Sequence, residues 1–205
     1  MLLEQNSSTD TYTIEGFGNG RSNIIQGNFA ANVIKGAGGD DTIEGSAGND
    51  ILTGGRGEDS FLYRNNLDLG FSFSFEDFRS SLFGYDLGVD IITDFNRNED
   101  KILLDRDLFQ IFDLGTDFES VNSIRAAEES NSLLVYNRRN GILYYNDNRS
   151  SPGFSFSENP NSGAFLVLQG APRITEDNLE LVNANPTLSN NFPDLRSEIP
   201  DDFIF

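Results

Sequence analysis

The chain has 205 residues and a formal net charge of −19, from 33 acidic against 14 basic side chains, which argues against nucleic acid or an anionic membrane as partner and makes a cation the natural counterpart. It contains no His and no Cys, so it cannot assemble a Ser-His-Asp or Cys-His dyad, a histidine-ligated zinc, a disulfide or a thiol nucleophile. Nowhere does it approach the ~18 apolar residues of a membrane span, and Met1-Leu2-Leu3-Glu4 has no basic region of the kind that opens a secretory signal.

Residues 1–17 are polar apart from the alternating run Thr11-Tyr12-Thr13-Ile14, which reads as a first strand within an N-terminal cap. From Gly18 the chain falls into blocks of nine: GNGRSNIIQ, GNFAANVIK, GAGGDDTIE, GSAGNDILT and GGRGEDSFL. Such a fixed period is the signature of a repeat architecture. Every block opens with Gly, the sixth position runs Asn23, Asn32, Asp41, Asp50, Asp59, and the eighth runs Ile25, Ile34, Ile43, Leu52, Phe61. Glycines at the first and fourth positions of the last three blocks allow positive φ in a tight turn, and the three residues after the acid read as a very short strand. Stacking these units predicts a narrow apolar seam and puts carboxylates in register along one edge. Like charges so placed are costly without a counter-ion. Asp oxygens and turn carbonyls are hard ligands that suit Ca²⁺ with its six to eight coordination better than Mg²⁺, which keeps its waters. A glycine-rich linker with solvated acids is the competing explanation of any single block, and five blocks in phase oppose it.

The segment GAGGDDTIEGSAGNDILTGGRGEDSFLY resembles the RTX (repeats-in-toxin) Ca²⁺-binding nonapeptide. That resemblance implies an all-β fold, a parallel β-roll (β-solenoid) of two strands per turn, with Ca²⁺ held between turn loops two blocks apart. It pairs Asp41 with Asp59, and puts Asp50 in a second row shared with the Asn32 block. Carbonyls of Gly36, Gly38, Gly45, Ala47, Gly54 and Arg56 complete the implied shells. Asn23 and Asn32 stand where the family has an acid, and Arg21 and Ala30 where it has its second glycine, so weak or empty sites are expected in the first two blocks.

The roll proper is expected over 18–63 and a flanking region over 64–182. Within 64–88 the period lapses into a Phe-rich insertion, where Phe71, Phe73 and Phe75 alternate with Ser72 and Ser74. DIITDFNRNEDKILLD then restores the spacing, with Asp90 and Asp100 as further candidate ligands, and it is similar to the segment after the repeats in the serralysin C-terminal domain. Residues from Asp117 to Glu129 are expected to form a helix capped by Asp117 or Ser120, with Val121 and Ile124 on one face. A hairpin follows, Leu133–Tyr136 and Ile142–Tyr145 about an Asn140-Gly141 turn. SLLVYNRRNGILYYNDN looks like the same C-terminal domain, with Asn146-Asp147-Asn148 where an acidic loop is usual. Ala164–Gln169 is a buried-strand candidate ended by Gly170-Ala171-Pro172, and Thr175–Leu179 completes the resemblance.

Residues 183–205 have the composition of an unfolded tail, and Asp201-Asp202-Phe203-Ile204-Phe205 resembles the C-terminal address of type I secretion substrates. The expectation is a secreted, extracellular Ca²⁺-binding module that folds on metal after export by type I secretion machinery, without catalysis of its own and with neither nucleic acid nor a membrane span as partner. The alternatives are a Ca²⁺-rigidified adhesion or matrix protein with a surface partner and, further off, a carboxylate-based glycan-active enzyme.

Overall fold

The protein is described from a computed structural model covering residues 14–64, 88–146 and 163–183. A glycine-rich turn interrupts every block, so each block yields one short strand, and successive strands alternate between two sheets. In one sheet β1 (Ile14–Phe17), β3 (Asn32–Gly38), β5 (Ile51–Arg56) and β7 (Asp90–Ile92) lie side by side. In the other, β2 (Ile24–Gln26), β4 (Thr42–Glu44), β6 (Ser60–Tyr63) and β8 (Lys101–Asp105) do the same. All these pairs are parallel. Partners stand 18 residues apart through the repeats, as in Ile14 with Asn32, Ile24 with Thr42, Val33 with Ile51 and Thr42 with Ser60. Two blocks per coil is the parallel β-roll.

The coil outlasts its glycines. Ile51 pairs with Ile91, 40 residues on, and Ser60 with Lys101, 41 residues on. Nearly all the added length therefore enters between β6 and β7, and one further residue widens the turn before β8. The first sheet continues through β12 (Gly163–Leu168), parallel to β7, then β11 (Ile142–Tyr145), β10 (Leu134–Asn137) and β9 (Phe118–Val121). In the second, β13 (Leu179–Val182) lies parallel on β8. Of the Thr11–Ile14 run only Ile14, the first residue of β1, lies among the described residues, and Thr11 to Thr13 lie outside them. So do the Phe-rich residues 65–87, Asp147 and Asn148, and the tail from 184 with its terminal Asp201–Phe205.

Between the sheets runs the predicted seam. Ile34, Ile43, Leu52 and Phe61 are buried and Ile25 partly so, and Ile92, Ile102 and Leu104 carry the seam onward. One such side chain per strand contributes about 1.5–3 kcal/mol. The core then widens into an aromatic cluster, with Tyr63 edge-on to Phe165 at 5.5 Å and Phe109 edge-on to Tyr145 at 5.4 Å. The Tyr136 hydroxyl, with its pKa pushed up to about 12 by burial, donates to the Pro172 carbonyl at 2.6 Å and ties the hairpin to the bend after β12.

The expected helix over 117–129 is divided. Leu114–Asp117 forms one helical turn (α2, after α1 at Arg106–Phe109), Phe118–Val121 is β9, and Ile124–Glu128 is α3, capped by Ser123, whose hydroxyl accepts the Ala126 N–H at 3.1 Å. Neither Asp117 nor Ser120 caps it, and Val121 is buried while Ile124 is exposed. Pairing with β10, in the register Leu134 with Phe118, overrides the local helical pattern.

Ile43→Ala, in mid-seam and fully buried, is expected to destabilise the folded chain by about 2–5 kcal/mol. Ile124→Ala at an exposed position should change stability by less than about 0.5 kcal/mol. Denaturant unfolding of both variants in Ca²⁺ measures the difference.

Candidate metal centre

Because the strands stack, so do the turns between them. Residues 18–23, 36–41, 54–59 and 94–100 form one row, and 27–32, 45–50 and 88–90 the other. Some backbone N–H groups in these turns bond to carbonyls of the next coil, as Gly18 N–H does to Lys35 and Gly27 N–H to Glu44, and side chains of adjacent coils take others. At the sixth position the acid reaches back one coil. Asn23, Asp41 and Asp59 N–H donate to Oδ1 of Asp41, Asp59 and Asp100 at 2.8, 2.9 and 3.1 Å. In the other row Asn32 and Asp50 N–H donate to Oδ1 of Asp50 and Asp90 at 2.7 and 2.9 Å. At the fifth position the link runs forward, with Asp40 Oδ1 accepting from Glu58 N–H at 2.9 Å and Asn49 Oδ1 from Val89 N–H at 2.7 Å. Every sixth-position acid thus spends one oxygen on the ladder.

The second oxygen is the chemically open one. Asp41, Asp50, Asp59 and Asp90 are each 1% exposed, and Oδ2 of Asp41, Asp50 and Asp90 is buried without a hydrogen-bond partner. A Cβ on Gly36, Gly45 or Gly54 would stand 2.2, 2.2 or 2.3 Å from Oδ2 of Asp41, Asp50 or Asp59. The first glycine therefore makes room for a carboxylate. Positive φ falls instead at the fourth position, Gly39, Gly48 and Gly57, and at the second, Ala37, Ser46 and Gly55. On Gly36 the same Cβ position lies 2.6 Å from the Gly54 carbonyl oxygen, so carboxylate and carbonyl oxygens of successive coils flank one small space.

Burial raises the pKa of Asp41 and Asp59, and takes Asp50 and Asp100 to about 6. Asp90 is pushed up to about 8 by burial and then by the charge of Asp50. The phenol of Tyr63 faces Asp90, though neither it nor Asp90 Oδ2 completes a regular hydrogen bond.

The remaining candidates have other surroundings. Asn23 Oδ1 and Asn32 Oδ1 turn back to accept from Asn19 and Asn28 N–H, both at 2.8 Å, and Asp100 Oδ2 likewise accepts from Asn96 N–H at 2.7 Å. Gly38 and Arg56 end β3 and β5 as register partners, and Ala47 is buried in the 45–50 turn. Asn146, directly after β11, is buried and donates through Nδ2 to the Ser130 carbonyl at 2.8 Å. Asp94 did not stand out in the sequence. Its carboxylate accepts from Gly54 and Gly55 N–H at 3.0 and 2.9 Å and closes the last glycine turn. The position-five ladder was equally unannounced, although Ser22, Asp40, Asn49 and Glu58 make that position polar in four of the five blocks, Ala31 being the exception.

Among the described residues no three acidic side chains converge, so a cation here draws on two carboxylates and on carbonyls. Unpartnered hard oxygens in a cradle that only glycine permits fit Ca²⁺.

A family model of the RTX calcium-binding nonapeptide repeat, four copies long, matches residues 17–52 and, one block later, 26–61. A solved structure, the solution structure of the AlgE6R3 subunit from the Azotobacter vinelandii mannuronan C5-epimerase, is similar over 95% of this chain and 92% of that chain, at 19% identity and a TM-score of 0.43. No curated protein matches the sequence. Residues 17–61 are RTX calcium-binding nonapeptide repeats, and the ion such repeats bind is Ca²⁺.

Proposed function

We propose that this chain is a secreted module whose roll is assembled by Ca²⁺ and which carries no catalysis of its own. The observation that carries the reading is the set of buried Oδ2 atoms without a hydrogen-bond partner, that of Asp41 in one row of turns and those of Asp50 and Asp90 on successive coils of the other. Asp41 with Asp59, and Asp50 with Asp90, are the carboxylate pairs assigned to the ions, joined by carbonyls of Gly36, Gly38, Gly45, Ala47, Gly54 and Arg56. Bound Ca²⁺ supplies the positive charge that makes the ladder favourable. Asn23, Asn32 and Asp100 hold their turns closed and are ranked below these pairs.

Without the cation, mutual repulsion and desolvation of the carboxylates oppose the folded roll, which keeps the chain extended for export through a type I channel. Extracellular Ca²⁺ modules bind at ~10⁻⁴ to 10⁻³ M, so folding would follow arrival outside the cell. Of the surfaces that an adhesion role would use, the hairpin rings Tyr136, Tyr144 and Tyr145 are buried and offer a partner little. Among the described residues no helix is long and apolar enough to cross a membrane.

Circular dichroism during Ca²⁺ titration, with an EGTA control, is expected to show β-structure appearing with metal. An identical spectrum in EGTA would remove the central claim. Asp41→Ala, Asp50→Ala and Asp90→Ala should each raise the Ca²⁺ midpoint several-fold more than Asn23→Ala.

The pH dependence has a defined sign. An unfolded Asp titrates near 3.9, whereas folded Asp50 and Asp90 titrate at about 6 and about 8, so between these limits the cation-free folded state holds more protons than the unfolded one. Its stability falls as pH rises through that window. Bound Ca²⁺ requires the ionised acids, so its affinity rises over the same interval. In EGTA the β signal should be stronger at pH 5 than at pH 8, while the Ca²⁺ midpoint should move lower from pH 5 to pH 8.

A further inference from the structure

Among the described residues, six turns seen whole end in an Asn or Asp and are of two kinds. In 18–23, 27–32 and 95–100, the last being the 94–100 turn counted without its one extra residue, the second residue is Asn19, Asn28 or Asn96. Its N–H donates to the side chain at the sixth position, Asn23, Asn32 or Asp100, at 2.8, 2.8 and 2.7 Å. Its own Oδ1 accepts the N–H two residues on, from Arg21, Ala30 and Asn98 at 3.0, 2.9 and 3.2 Å. Such a turn satisfies its own polar groups, leaving the side chain that ends it no oxygen without a hydrogen-bond partner.

In 36–41, 45–50 and 54–59 the second residue is Ala37, Ser46 or Gly55, at φ 82°, 76° and 109°. Among the described residues none of these three makes the bond to the sixth side chain. Oδ2 of Asp41 and Asp50 is left bare and buried, and beside Asp59 it is Asp94 of the next coil that takes the Gly54 and Gly55 N–H groups. Holding Ala or Ser at positive φ is a strain that only glycine escapes, and self-closure would avoid it.

We infer that the residue at the second position of each turn decides whether that turn takes an ion: Asn there closes the turn on itself, and a residue at positive φ leaves the carboxylate for metal. The inference rests on the Ca²⁺ reading above and refines it, because acidity at position six is not the deciding feature. Asp100 shows the point within this chain, being acidic, buried and yet closed on Asn96 N–H. Turns 18–23, 27–32 and 94–100 become metal-independent ends, and the ions are confined between them.

Native mass spectrometry of the full chain in Ca²⁺ counts the ions directly. Asn32→Asp alone is expected to leave the number unchanged, since Asn28 N–H still closes onto residue 32. The double variant Asn28→Gly/Asn32→Asp should bind one ion more than wild type. Ser46→Asn should bind one fewer while its circular dichroism stays that of the wild type. Equal gains from Asn32→Asp and from the double variant would overturn the inference, as would an unchanged count in both. If Ser46→Asn does not fold, that comparison decides alone. A wild-type chain that binds no Ca²⁺ would bring down the functional reading itself, whereas a wild type that binds with unresponsive variants removes only the role of position two.

Discussion

The structure depends on a stack of aspartates that is stabilising through one oxygen and destabilising through the other. Oδ1 of Asp41, Asp50, Asp59, Asp90 and Asp100 each takes an N–H that no strand can reach, and so stitches the turns. The companion oxygen comes along into the same buried place, where charge is expensive unless paired. First-position glycines follow from this constraint, because nothing larger leaves space for the carboxylate. A cation that accepts the spare oxygens turns the arrangement from a liability into a clamp.

The seam could not do this work unaided. One apolar residue per strand is a thin core, and neighbouring side chains on each short strand point outward. Only around the aromatic cluster of Tyr63, Phe109, Tyr145 and Phe165 does the interior thicken to that of an ordinary domain. Stability is therefore graded along the axis. The amide-rich first coil hangs on hydrogen bonds within its turns and the C-terminal coils on packing, while the middle coils carry the unpartnered carboxylate oxygens for which the Ca²⁺ reading supplies the counter-charge.

Much of this was legible in the sequence. The nine-residue period marked the turns and short strands and the eighth positions named the seam, because both follow from backbone geometry repeated without interruption, while the coil of two strands per turn came with the RTX resemblance. The recurrence of Asp-Ile-Ile and Asp-Lys-Ile likewise marked the roll's continuation through β7 and β8. What stayed hidden were interactions between coils. Asp94 reads as one more acid in a polar stretch until Gly54 and Gly55 are placed beside it, and the fifth-position ladder exists only once coils are stacked. Phe118–Val121 looked helical for the same reason, since its partner β10 is recognised by register and not by local pattern. The glycines were assigned the right importance with only part of the right cause, φ at position four but close approach at position one.

Register in this roll is held by contact and not by continuity of chain. Asp50 N–H meets Asp90 Oδ1 at 2.9 Å across 40 residues, nearly as Asn32 N–H meets Asp50 Oδ1 at 2.7 Å across 18. Closing the longer loop costs only about 0.6 kcal/mol more, because the entropy grows with the logarithm of length. That is within reach of a single ladder hydrogen bond at about 1 kcal/mol. The coil can therefore admit a long excursion at one turn without losing its phase, provided the returning strand presents the same acid. Asp90 is that acid, and it pays most heavily in the absence of metal, with Asp50 adjacent and its own pKa lifted to about 8. The junction where the repeat is interrupted is thus the place where carboxylate charge, left uncompensated, most opposes the register of the two halves of the roll.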